Sequence, residues 1–256
     1  MTSCSSYFAT KLQRLARTFA LKSNNKAMRI GIIDRVIFSV LTSTCVRELQ
    51  EEHPEWKEKH IRKTANKRFV KMMRDTPDIG SYSQNHLKIC LVGGAVWFSI
   101  YEAVEDLYGK MPIELYGRMC NAAMSMPLMR RKYARTPFFT TKYQDSYIKK
   151  AEKSGRIKSE YNWSMVVEKC ETPDALKVRF TQCGLCALAK RTGHKDILPA
   201  MCLTDYTVAD QMGAVLHRDK TLASGDPVCE YLYTRPGSDP EKRWQQEHRD
   251  GSFLRK

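Results

Sequence analysis

Thiols and carboxylates crowd the last third of this sequence: Cys183, Cys186, Cys202, Asp205, His217, Asp219, Asp226 and Cys229. Three kinds of chemistry suit such a set. A thiolate can attack an electrophilic carbon while a carboxylate or imidazole moves the protons. Four thiols can hold zinc, and Cys183-x-x-Cys186 has the spacing of a knuckle. Cys202 and Cys229 do not form the second close pair that a zinc site needs, so no metal is expected. Free cysteine also packs well as a small apolar group, which is the default for any one of these thiols taken alone.

The elements that carry these groups decide which can meet. Cys183 and Cys186 share a face of a predicted helix, as do Cys202 and Asp205. Ser224-Gly225-Asp226-Pro227 is a turn that delivers the chain into a β-prone run. On that strand Cys229 shares a face with Tyr231 and Tyr233, while Val228, Glu230 and Leu232 point the other way.

Further back, residues 28–155 read as helix after helix, punctuated by Pro54, Pro77, Pro112 and Pro137. The apolar run Ile89 to Tyr101 belongs to a helix predicted from about Ser81 to Tyr108. Near residue 156 the period changes. Trp163, Met165 and Val167 alternate with polar neighbours, and Leu176, Val178 and Phe180 repeat the pattern after a Pro173 turn, which predicts a hairpin. Helices over 183–191 and 197–211 follow, then short strands over 214–217 and 228–234. The pattern is α+β, a helical part packed with a small antiparallel sheet and inserted helices. It divides as a basic extension over 1–27, a helical region over 28–155, an α+β region over 156–235 holding the site, and a loosely held polar tail over 236–256.

Composition bounds the partners. The net charge is +15 over 256 residues, but Lys and Arg are spread along every helix and interleaved with acids. No zinc-finger spacing or aromatic RNA-binding strand accompanies them, so nucleic acid is not the expected partner. The longest apolar run is too short to span a bilayer. Nine cysteines without a secretory signal indicate free thiols in a reducing, cytoplasmic setting. The acid-free start, with Lys11, Arg14, Arg17, Lys22, Lys26 and Arg29 beside a Phe8, Leu12, Leu15, Phe19 face, has the composition of a mitochondrial transit peptide or of a basic first helix. Oligomeric state leaves no signal.

Three separated pieces, Cys202-Leu203-Thr204-Asp205, Arg218 through Thr221-Leu222 to Gly225, and Cys229-Glu230-Tyr231, follow a cysteine, Cys183, that opens a helix. In order and spacing this segment resembles the L-2-amino-thiazoline-4-carboxylic acid hydrolase family. Glu230 departs from a commoner Asp, Cys186 stands where a larger side chain is expected, and the basic N-terminus is extra. The resemblance implies hydrolysis of a small cyclic amidine, with ring opening of a thiazoline carboxylate at its C=N carbon and no cofactor. It implies Cys229 or Cys202 as nucleophile, Asp205 to position water or carry a proton, and Arg218 to pair with a substrate carboxylate. His217, Thr221, Cys183 and Tyr231 would complete the substrate site, with Cys229 facing Cys202 and Asp205.

Two readings from other classes fit the same elements. One is a small-ligand sensor or carrier like the vinyl-reductase-type domains; the other is a biosynthetic enzyme that reuses the scaffold for a condensation or cyclisation. An acid and a thiol in one pocket favour an enzyme over a carrier.

Overall fold

The computed structural model describes residues 27–248. The predicted targeting segment and the last residues of the tail lie outside that range.

Six helices come first: α1 (Ile32–Glu52), α2 (Glu58–Arg74), α3 (Lys88–Tyr108), α4 (Ile113–Ser125), α5 (Pro127–Ala134) and α6 (Thr141–Gly155). The centre is α3, in which every residue from Leu91 to Tyr101 is buried. Its apolar run is therefore a core helix, and no helix among the described residues is long and apolar enough to cross a membrane. It begins at Lys88 rather than near Ser81. The reason is Asn85, whose buried amide donates to Ile79 O and Asn162 Oδ1 at 2.9 Å each and whose Oδ1 accepts the Leu87 N–H at 3.0 Å. Such side-chain bonds compete with the helical ladder.

The second half holds β1 (Ser164–Lys169), β2 (Ala175–Gln182), α7 (Gly184–Thr192), α8 (Leu198–Cys202), α9 (Thr204–Gln211), β3 (Val215–His217), β4 (Cys229–Thr234) and α10 (Asp239–Glu247). The strands form one antiparallel sheet in the order β1-β2-β4-β3. The fold is α+β. Its main core draws on both sides of residue 156, adding Tyr161, Trp163, Leu188, Leu198 and Met201 to the helical residues. Phe180, Val178 and Leu176 pair with Cys229, Tyr231 and Tyr233 on the inner sheet face. That face packs against Tyr143 and Tyr147 of α6 and Tyr206 and Ala209 of α9.

Two features depart from the sequence reading. The helix expected over 197–211 breaks at Leu203, where the Thr204 hydroxyl donates to Met201 O at 2.8 Å and diverts the ladder. The tail is not loose over 239–247: α10 docks on the outer sheet face, with Glu241 buried and Trp244 stacked on His217 at 3.7 Å between ring centroids. Ser238-Asp-Pro-Glu241 is the capping-box spacing that starts this helix, and Ser238 Oγ accepts the Glu241 N–H at 3.4 Å.

Candidate functional site

The break at Leu203 shapes the site. It ends α8 at Cys202, so the Cys202 carbonyl is open to a side-chain donor, and Asp205 sits one residue into α9. Arg218 leaves β3 on the inner face, since Leu216 and His217 alternate before it. Its Nη1 donates to Asp205 Oδ2 at 2.7 Å and its Nη2 to Cys202 O at 3.1 Å. The Tyr231 hydroxyl donates to the same Asp205 Oδ2 at 2.9 Å. Tyr206 and Tyr231 lie 4.9 and 5.2 Å from the guanidinium carbon, and the Tyr206 hydroxyl donates to Arg218 O at 3.1 Å. Arg218 is thus bonded along its fork and only 4% exposed at its side chain. It is not placed to grip a substrate carboxylate; it orients Asp205 instead.

Asp205 combines crowding with wetness. Burial is the leading influence on its carboxyl and holds it above the usual carboxylate range, against the opposing pull of Arg218 and Tyr231. Yet its side chain is 38% exposed, and Oδ1 has no hydrogen-bond partner among the described residues. Burial is the leading cause that raises the thiols of Cys202 and Cys229 and the phenols of Tyr133, Tyr147, Tyr231 and Tyr233, and the Asp205 charge adds to each. These groups come from α5, α6, α8 and β4, so the carboxylate lies where those elements meet.

The thiols differ in state. Burial pushes the Cys229 thiol up to about 11, although its sulfur accepts the Leu222 N–H at 3.1 Å. Burial also pushes Cys202 well above its ordinary value. Cys183 goes the other way. The neighbouring Cys186 thiol is the leading influence on it and lowers it against burial, although the Cys183 side chain makes no cap hydrogen bond to the amides of α7. Cys183 is the N-cap of α7, with extended backbone at φ −129° and ψ 120°, where helix amides are unpaired and favour an anion. Its charge also acts on Cys202 and Cys229. Cys183 and Asp205 therefore bear on the same two thiols from two sides.

Two glycines hold this N-cap in place. A Cβ on Gly184 would lie 2.1 Å from Tyr161 O and 3.0 Å from the Trp163 ring, and one on Gly94 of α3 would lie 2.2 Å from Leu185 Cδ2. Only glycine permits both approaches, which press the start of α7 onto the core helix and the β1 lead-in.

The remaining sequence candidates divide. Cys183, Cys202, Asp205, Arg218, Cys229 and Tyr231 belong to one mutually interacting set, although no hydrogen bond joins Asp205 to a thiol among the described residues. His217 does not belong to it. It points to the outer sheet face, where Nε2 meets Thr234 Oγ1 at 2.9 Å and Glu241 Oε2 at 2.7 Å. Strand alternation carries it there. The Thr221 hydroxyl serves its own turn, accepting the Ser224 N–H at 3.0 Å and meeting Ser224 Oγ at 2.9 Å. Cys90, Trp163, Tyr133 and Tyr147 escaped the sequence reading because their elements look like plain apolar helix and strand. Among the described residues no cluster of His, Cys, Asp and Glu is arranged to hold a metal ion. A recess of about 480 Å³ bordered by Met28, Arg29, Arg35 and Arg74 contains none of the thiols or the carboxylate described above.

Comparison with known proteins adds one finding. A family model described as L-2-amino-thiazoline-4-carboxylic acid hydrolase matches residues 91–233, more than half of the chain and the span that holds Cys183, Cys202, Asp205, Arg218, Cys229 and Tyr231. No curated protein and no solved structure matches.

Proposed function

Because the chain belongs to the L-2-amino-thiazoline-4-carboxylic acid hydrolase family, we propose that it hydrolyses a small cyclic amidine carboxylate of the 2-aminothiazoline-4-carboxylate type at the C=N carbon. The observation that carries this reading is the Asp205 carboxylate, held at Oδ2 by Arg218 and Tyr231, 38% exposed and open at Oδ1, within the family-matched span that also holds the Cys183, Cys202 and Cys229 thiols. Lowering favours Cys183 over Cys202 and Cys229 as the nucleophile, since the thiolate is the attacking form.

In this reading the Cys183 thiolate adds to the C=N carbon, and the ring nitrogen takes a proton. The tetrahedral adduct collapses with loss of the ring sulfur, which leaves as a thiol and opens the ring. Asp205 Oδ1 then takes a proton from a water as its oxygen attacks the same carbon. Expulsion of the Cys183 thiolate completes a carbamoyl group, and one water has been consumed. Tyr231 and Arg218 keep Asp205 in one rotamer throughout, at the cost of leaving the substrate carboxylate to another cation. Lys132 suits that role: its charge acts on Cys90, and its ammonium lies 5.2 Å from the Tyr133 ring centroid.

The test is incubation of the folded protein with 2-aminothiazoline-4-carboxylate, with the ring-opened carbamoyl product detected by mass and the new thiol by a colorimetric reagent. Turnover lost in Cys183→Ser and kept in Cys202→Ser and Cys229→Ser is the expected result. No turnover on this compound or on related cyclic amidines overturns the substrate class. An active Cys183→Ser overturns the nucleophile.

A further inference from the structure

We propose that the outer face of α1 and α2 is a docking surface for an anionic lipid bilayer, on which the protein lies without spanning it.

Two ridges run along this face. The first is apolar: Ile32, Ile33, Val36 and Val40 fall on one side of α1, and all four are exposed, Ile32 by 82%. Contiguous apolar surface of this kind marks a place where something docks. The second ridge is basic. Lys59, Lys63, Lys67, Lys71 and Arg74 succeed one another along one side of α2, and all five are exposed. Like charges at that helical spacing repel, so the ridge gains from an anionic counterpart. Arg29 and Arg35 join the two ridges. With Val70 and Arg74 they border a recess of about 480 Å³ between the start of α1 and the end of α2.

The acids nearby do not neutralise this charge. Glu58 holds Arg62 at 2.8 Å, and Asp34 is buried against the Gly31 amide and the Tyr82 hydroxyl. Glu48, Glu51 and Glu52 gather at the far end of α1 from Ile32. Asp75, just after α2, and Glu102 of α3, whose carboxyl feels Lys71, offset only part of it.

An apolar ridge beside a basic one is what an anionic bilayer satisfies: the apolar side chains enter the headgroup boundary while the cations meet the headgroup charges. A nucleic acid would use the cations and leave Ile32 and Ile33 in water. A second copy would cover the isoleucines but set cations against cations. So would the first 26 residues, which hold Lys11, Arg14, Arg17, Lys22 and Lys26 and no acid. No helix among the described residues is long and apolar enough to cross a membrane, which fits a surface contact. This face shares no residue with the set around Asp205, so the docking does not rest on the hydrolytic reading.

The experiment floats the full-length protein with vesicles of phosphatidylcholine alone and of three parts phosphatidylcholine to one of phosphatidylserine. The expected result is binding to the mixed vesicles only, weakened by added salt. Lys63→Gln, Lys67→Gln and Lys71→Gln together should weaken it about a hundredfold. Ile32→Ser with Ile33→Ser should remove most of it, and circular dichroism should show both variants folded as the wild type. Binding that both variants retain overturns the proposal, as does equal binding to uncharged vesicles. Duplex DNA bound through the lysines, with no vesicle bound, overturns it in favour of nucleic acid. A wild-type dimer that Ile32→Ser with Ile33→Ser dissociates overturns it in favour of a second copy.

Discussion

Arg218 and Asp205 meet at 2.7 Å, and the same guanidinium reaches Cys202 O at 3.1 Å through its other nitrogen. One side chain thereby ties the end of α8 to the start of α9 and fixes the direction of the carboxylate. A planar fork between two tyrosine faces is what this contact needs, and lysine cannot supply it.

Arg218→Lys keeps the charge and loses one of the two arms. We expect a stability loss of about 2 kcal/mol, the scale of a hydrogen bond to a charged group. Chemical denaturation measures it, and ring opening should fall along with it. A variant of unchanged stability would show that the second arm contributes nothing.

Cysteine reactivity should follow electrostatics rather than exposure. With iodoacetamide at neutral pH, Cys183 should react before Cys202 and Cys229, whose thiols burial holds above their ordinary value. The half-rise of Cys183 alkylation should fall below the ordinary thiol value. Peptide mapping over a pH series reads both, and faster labelling of Cys202 or Cys229 contradicts the ordering.

Asp205 must be ionised to accept a proton from water, and its carboxyl is held above the usual range. The acid limb of the activity profile should therefore lie above that of an ordinary aspartate at about 3.9. Asp205→Asn should remove the limb with the activity. Stability has the opposite trend: the folded carboxyl keeps its proton to higher pH than the unfolded one, so this group's contribution declines as the pH climbs through the raised value.

Gly184→Ala places a methyl 2.1 Å from a backbone carbonyl that belongs to a buried residue. Overpacking of this kind costs about 2 kcal/mol. The shift should also move the Cys183 backbone next to it and the Cys186 thiol that lowers it, so its alkylation half-rise should return toward the ordinary thiol value. A variant with wild-type alkylation behaviour would falsify the positioning role of this glycine.

His217→Gln tests the division of the sheet into two faces. The imidazole sits between Thr234, Glu241 and Trp244, so the variant should lose stability while its specific ring-opening activity stays at the wild-type level. A rise in KM at unchanged stability would return His217 to the substrate site.

Much of this was legible along the chain. Alternation of Trp163, Met165 and Val167 and of Leu176, Val178 and Phe180 marked the hairpin, but the shared helical face expected for Cys202 and Asp205 did not form, because the break at Leu203 puts them on α8 and α9. The helix start at Lys88 was not legible, because it depends on Asn85 meeting Asn162, a partner far along the chain. His217 was misjudged for a related reason: its chemistry invites catalysis, but strand alternation turned it away from Arg218, its immediate neighbour. The α10 start was legible in Ser238-Asp-Pro-Glu241, but its docking was not.

By itself the sequence determined the α+β class, the order of the elements and the family, because periodicity, turn chemistry and motif spacing are local properties. Tertiary structure alone decided which thiol carries the lowered proton affinity and what Arg218 holds. The second follows from groups distant in sequence, β3 meeting the broken α8–α9 joint, and the first from burial. Cys229, first in line from its motif, is raised by burial, while the neighbouring Cys186 lowers Cys183. Proton affinity is set by surroundings, and surroundings exist only once the chain has folded.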